Sequence, residues 1–191
     1  MTESRSIPFF TYQDEIDASN LIKLRQTLKQ TYSTLTLLPF FVKAASLSVQ
    51  EYPIVNSHFN PETCEEGYIK EYVIKKDHNF TIAIDSKDGL TVPNIKKVQD
   101  KSILQINEDL IKLREKAEQG KLGPNDFANG TFSISSVGNL GGTYFVPTIL
   151  RPQVGIMAIG RARKVAKYVE DKNAPEGYRF IPSDSVSIKN R

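Results

Sequence analysis

Cysteine is almost absent from this chain. Among 191 residues only Cys64 is present, so no intrachain disulfide can staple the fold, and the composition fits a reducing compartment. Glu65 and Glu66 follow Cys64 and disfavour its thiolate, which makes an ordinary loop thiol a better reading than a nucleophile. Histidine is nearly as scarce. With only His58 and His78, and no Cys/His cluster, no metal site is expected. No apolar run reaches the roughly 18 residues that a membrane span needs. The net charge of +3 comes from interspersed acids and bases, which leaves no electrostatic footprint for nucleic acid. Nucleic acid and membrane are therefore not expected partners. No repeat, low-complexity block or Pro/Gly linker divides residues 1–191, which read as one domain burying about 70% of its unfolded surface.

What is present is a mixed pattern of strands and helices. Residues 7–17 read as a strand. A helix then starts near Ser19, with Leu21, Leu24 and Leu28 as its apolar stripe. A second helix over about 39–51 has Pro39 in its first turn and is apolar almost all round, which predicts burial. Phe80, Ile82 and Ile84 alternate with Thr81, Ala83 and Asp85 over 79–85, and Asp88-Gly89 turns the chain into Leu90–Val92, a hairpin signal. The third helix is the best specified. Ser102 and Gln105 form a capping box, Ile103, Ile106, Leu110, Leu113 and Ala117 hold the buried spacing, and Gly120 can end it. Val154–Ile159 reads as a buried strand, and 164–169 with 178–181 as a second hairpin. Without strict βαβ alternation, these elements predict an α+β fold around a largely antiparallel or mixed sheet.

The stretch Gly130-Thr-Phe-Ser-Ile-Ser-Ser-Val-Gly-Asn-Leu-Gly-Gly142 stands out. Phe132 and Ile134 share one face of a strand and Ser133 and Ser135 the other, and the glycines at 138, 141 and 142 then stop regular structure. One reading is a polar strand face turning into a loop. The other is a set of donors aimed at an oxygen that gains charge during a reaction. Arg25 falls on the apolar stripe of the first helix, where a guanidinium needs an anionic partner or a route to solvent. Snorkelling, or pairing with Asp14 or Asp17, is one outcome and a bound ligand the other. Asp85 lies on the opposite strand face from Ile82 and Ile84, so it is not a core residue, and a simple hairpin-turn acid remains open for it.

Motifs spread along nearly the whole chain carry a resemblance. The segment 130–142 is similar to the active-site strand of the acyltransferase subunits of 2-oxo acid dehydrogenase complexes. Met1-Thr-Glu-Ser and Ile7–Asp17 resemble the first strand of that catalytic domain. Leu38-Pro-Phe-Phe-Val-Lys-Ala-Ala-Ser46 resembles its first buried helix, Tyr52-Pro-Ile-Val-Asn56 the strand after it, and Asp88–Asn94 a further landmark. F-T-Y-x-D-E-I-D, P-F-F-x-K-A-A-S and His78-Asn79 look most like the branched-chain subunit. The resemblance implies a chloramphenicol-acetyltransferase-like fold assembled as homotrimers within a larger core. It implies acyl transfer between dihydrolipoamide and coenzyme A, with the lipoyl group on a separate domain and with decarboxylase and dihydrolipoamide dehydrogenase components as partners. No lipoyl or peripheral-subunit-binding domain is expected within 1–191. Met1 is not followed by a signal peptide or an Arg-rich transit segment, so the implied location is the mitochondrial matrix in a eukaryote, by way of sequence not present here, and otherwise the cytoplasm.

By resemblance, Ser135 is the oxyanion donor, with a bond to a neighbouring strand as its structural alternative. Arg25, Thr36, Asp85, Ser136 and Asn139 match positions on the coenzyme A side. His78 is not expected to be the base, because the family also has histidine there without using it so; a solvated or supporting role is expected for His78 and His58. The chain departs from the family at its end. Ser185-Val-Ser-Ile-Lys-Asn-Arg191 resembles the approach to a D-H-R-x-x-D-G motif, and in that register Asn190 occupies the place of the catalytic histidine and Lys189 that of the first aspartate. An amide cannot take a proton from a thiol near neutral pH. Two expectations follow: a core subunit whose remaining motif and final helix lie beyond residue 191, or a catalytically silent homologue of that core. The long apolar stretch Tyr144–Leu150 is expected to be buried against a neighbouring subunit.

Overall fold

The computed structural model describes residues 10–60, 70–87, 89–138 and 141–191. In chain order these give β1 (Tyr12–Asp17), α1 (Ser19–Lys29), α2 (Leu38–Glu51), β2 (Ser57–Phe59), β3 (Tyr72–Ile74), β4 (Phe80–Ile82), β5 (Ile84–Ser86), β6 (Gly89–Thr91) and β7 (Asn94–Ile95). There follow α3 (Ile103–Glu118), α4 (Pro124–Phe127), β8 (Phe132–Ser136), β9 (Ile156–Ile159), β10 (Arg163–Glu170) and β11 (Tyr178–Asn190). The main sheet has the order β1-β11-β9-β8-β4-β7, with β10 pairing β11. It is mixed: β8 runs parallel to both β4 and β9, while the remaining pairs are antiparallel. An α+β architecture with helices packed on a mixed sheet is thus what forms.

One face of the sheet carries the core. Phe80, Ile82, Phe132, Ile134, Ile159 and Val186 meet Phe41, Val42 and Val49 of α2 and Ile106, Leu110 and Leu113 of α3. The capping box forms as its sequence dictates, with Gln105 N donating to Ser102 Oγ and Ser102 N to Gln105 Oε1. Gly120, at φ +64°, takes the left-handed conformation that ends the helix.

Several expectations need correction. Tyr52–Asn56 is not a strand: Pro53–Asn56 forms a 3-10 helix and the strand begins at Ser57. Pro53 lacks the N–H a ladder requires, while its fixed φ suits a helical turn. The run 79–85 forms a hairpin arm, as its alternation predicts: β4 pairs with β7 and β5 with β6 in one register, and Ile82 N–H bonds to the Pro93 carbonyl between them. Its strand is interrupted at Ala83, whose N–H bonds to the Ile134 carbonyl, and β4 thereby joins the main sheet as well. Residues 10 and 11 are not strand, and 7–9 lie outside the described residues, as does Cys64. Leu24 does not complete the stripe of α1, being 50% exposed, whereas Leu21 and Ile22 pack on the core. The first turn of α2 is buried, yet Leu47 further along is exposed. The second hairpin exceeds its predicted length, because β11 continues through 13 residues into the centre of the main sheet.

Candidate active site

Ser135 sits near the end of β8, between two parallel neighbours. Because side chains alternate across a sheet, Phe132 and Ile134 enter the core beside Phe80 and Ile82, and Ser133 and Ser135 face the other side, as their spacing predicts. The two serines then differ. Ser133 is 2% exposed and its hydroxyl donates to Gln153 Oε1, while Gln153 Nε2 donates to Thr81 Oγ1 at 3.1 Å. A Cβ on Gly130 would lie 2.4 Å from Thr81 Oγ1, so glycine is required for this close packing. Ser135 is half-buried, and among the described residues its hydroxyl has no hydrogen-bond partner. The alternative in which it ties two strands together thus finds no bond. A hydroxyl with an unused hydrogen on a rigid strand can donate to a developing oxyanion.

The segment 141–153 closes over this same face. Ser187 Oγ donates to the Thr143 carbonyl, and a Cβ on Gly160 would come within 2.6 Å of that carbonyl. Tyr144 OH donates to Glu15, which also accepts from Arg163 Nη2 at 2.6 Å and Ser185 Oγ at 3.1 Å. The Tyr144 bond first, then Arg163, holds the Glu15 carboxyl below its ordinary range. Asp17 is held lower still, by Ser19 and then Lys167. Neither Gln153 nor Glu15 was marked by the sequence, since each acts on partners far away along the chain.

Arg25 is half-buried and donates from Nε to the Leu35 carbonyl at 3.1 Å. Asp14 and Asp17 do not take it: Asp14 accepts from Tyr12 and the Glu15 N–H, and Asp17 from Lys167 and the Ser19 N–H. The bond to Leu35 sets Arg25 beside the turn that carries the half-buried Thr36. Asp85 is exposed on β5 next to buried Ile84. Among the described residues, no hydrogen bond or ion pair joins Asp85 to Arg25, Ser135 or Ser136. Ser136 is half-buried on the helical face of the sheet, opposite to Ser135. Asn139 lies outside the described residues.

His78 is not solvated. It is 6% exposed, its Nδ1 lies 2.7 Å from Ser46 Oγ, and its ring stacks on Phe80 at 5.9 Å. Burial lowers its pKa, and it acts as a core histidine. His58 Nε2 donates to the Gly130 carbonyl at 2.8 Å, fixing the start of the glycine-flanked segment. Asn190 pairs with Met157 and Tyr12 at the end of β11 and shares the face of Ile188, opposite to Ser135. Lys189 pairs with Ala158, which pairs with Ser135, so all three share one face.

The Glu15 clamp gives a pH prediction. A carboxyl whose folded pKa is depressed stabilises above its unfolded value, about 4.3, and loses that contribution as pH falls through the folded one. Hydrogen-exchange protection of residues 141–147 should fall as pH drops below about 4. Glu15→Gln should lower protection already at neutral pH and abolish the acid response there. Unchanged protection in that variant would remove the clamp.

Residues 1–183 match the family model described as 2-oxoacid dehydrogenases acyltransferase (catalytic domain). The chain is 40% identical over 177 residues to the lipoamide acyltransferase component of the mitochondrial branched-chain alpha-keto acid dehydrogenase complex of Caenorhabditis elegans, covering 91% of this chain and 38% of that protein. It therefore spans well under half the length of that relative. Among solved structures, the dihydrolipoamide acetyltransferase of Azotobacter vinelandii superimposes with a TM-score of 0.85 at 31% identity, over 99% of this chain and 74% of that one. In that protein a serine, a histidine and an asparagine were investigated for their role in the catalytic mechanism. Chloramphenicol acetyltransferase superimposes with a TM-score of 0.54 at 14% identity, over 95% of this chain and 77% of that one, a likeness of fold alone.

Proposed function

We propose that this chain, which belongs to the 2-oxoacid dehydrogenase acyltransferase catalytic-domain family, carries the oxyanion half of a site that moves acyl groups between dihydrolipoamide and coenzyme A. The observation that supports this most is the Ser135 hydroxyl, unpartnered on a strand whose other outward serine is locked by Gln153. In thioester exchange a thiolate adds to the carbonyl carbon and the carbonyl oxygen gains charge, which Ser135 can meet with a hydrogen bond. Arg25 and Thr36 form the coenzyme A side, with Asp85, Ser136 and Asn139 as further positions of it, and the lipoyl group arrives on a separate domain. The branched-chain relative makes isobutyryl- and isovaleryl-dihydrolipoamide the acyl donors to try first. Calorimetry should show coenzyme A binding that Arg25→Ala weakens at least tenfold, and equal affinity would take Arg25 out of the site.

A second reading, a catalytically silent member of such a core, is favoured by one residue. Asn190 has no basic nitrogen to receive a thiol proton. General-base catalysis contributes roughly a hundred- to ten-thousandfold, so turnover by residues 1–191 should be residual. Asn190→His should raise it, and Ser135→Ala in that background should lower it about a hundredfold. Full turnover by the unmodified chain would overturn this second reading.

Assembly belongs to the same reading. Ser135 and Asn190 lie on opposite faces of the sheet of one chain, which supports a site completed between subunits, the serine of one facing residue 190 of the next. Tyr144 and Val146, 56% and 55% exposed, are apolar surface for such a neighbour. Trimers, as units of a larger core, should appear in sedimentation at micromolar concentration; a stable monomer there would count against assembly.

A further inference from the structure

We infer that Lys189 is a ligand-facing residue of the Ser135 site, where its ammonium holds the attacking thiol as thiolate. This rests on the acyl-transfer reading above and adds to it a cation beside Ser135.

Ser135, Ala158 and Lys189 stand in one row across β8, β9 and β11. Adjacent strands are about 4.8 Å apart, which puts the backbones of Ser135 and Lys189 about 10 Å apart. Ala158 between them offers a single methyl group and is itself buried, so the lysine stem can lie across it and bring the ammonium toward the serine hydroxyl. Lys189 is half-buried, and among the described residues it has no hydrogen bond or ion pair.

The other charged groups on this face do not neutralise it. Its neighbour on β1 is Gln13, an uncharged amide. Glu15, one step further along that face, is engaged by Tyr144, Arg163 and Ser185, and Asp17 by Lys167 and Ser19. On β11 itself the next charge is Arg191, which pairs across to Ile156 and donates to the Pro147 carbonyl. From β8 and β9 the row receives only Ser133, Ser135, Ile156 and Ala158. The charge facing the row is thus positive.

A positive charge within a few ångströms favours the ionised form of a thiol. The step it assists balances without a protein base. The S–H bond breaks and its proton goes to solvent, and the sulfur pair forms the new C–S bond at the thioester carbonyl. The π pair moves onto oxygen beside Ser135. On collapse the oxygen pair re-forms the carbonyl π bond and the old C–S bond breaks, and the departing sulfur keeps that pair and regains a proton from solvent.

The test is an ultraviolet titration of thiolate absorbance for coenzyme A bound to the protein, with S-methyl coenzyme A as the blank. The bound thiol should titrate at least about one unit below the free one. Lys189→Gln should return it to the free value and Lys189→Arg should retain the shift. Coenzyme A binding by each variant reports that it is folded. Binding without a shift, or a shift that survives Lys189→Gln, overturns the role of Lys189 alone. No binding by the unmodified protein overturns the acyl-transfer reading as well.

Discussion

Everything at the candidate site depends on the register of β8. It is held on both sides by parallel partners, and a slip of one residue would exchange Phe132 and Ile134 with Ser133 and Ser135. Each large apolar side chain contributes about 1.5–3 kcal/mol on burial, so losing two and burying two unpaired hydroxyls would cost several kcal/mol. That is a large part of the roughly 5–15 kcal/mol that keeps a domain folded. The aim of Ser135 is therefore set by its neighbours on the core side.

The elements that could be read from the chain are those in which local chemistry and burial agree. In α3 the capping box, the apolar spacing and the terminating glycine all point to one helix, and it forms over Ile103–Glu118. Pro53–Asn56 is where local chemistry overrides the resemblance, which implied a strand: the proline suits a helical turn, and that turn packs beside β3. The hairpin of 79–85 with the chain after Gly89 could be read from its alternation and turn, and it forms. That its first half also bonds to β8, with Ala83 N–H on the Ile134 carbonyl, has no local signal, because the partner lies fifty residues away. The same holds for β11, whose distal half is an ordinary hairpin arm and whose proximal half is a central strand.

The site was legible in its first layer only. The alternation of 132–135 announces a hydroxyl face, and Arg25 on an apolar stripe announces a guanidinium that needs a partner. The partner turned out to be the Leu35 carbonyl, a backbone group that no side-chain pattern encodes. Glu15 and Gln153 escaped notice for a similar reason, since nothing local distinguishes them from other surface polar residues. For His78 the sequence leaves a solvated and a supporting role open, and stacking on Phe80 and the bond to Ser46 exclude the solvated one and make it part of the core.

Why one hydroxyl of β8 is bonded and the next is not follows from a gradient of burial along the strand. A polar group removed from water without a partner costs about 1–3 kcal/mol, so Ser133, almost wholly buried, must be matched, and Gln153 and Thr81 complete that match. Ser135 lies one pleat further out and is half-buried, where water can satisfy the hydroxyl in the absence of a ligand. The closed network behind it makes the strand rigid, while its own donor stays available. Moving the same serine one pleat inward would bind it into the core, and moving it outward would place it at Val137, past the end of β8, where a single longer bond to the Ile159 carbonyl remains. Ser135 occupies the last position on this face of β8 that is both held and open.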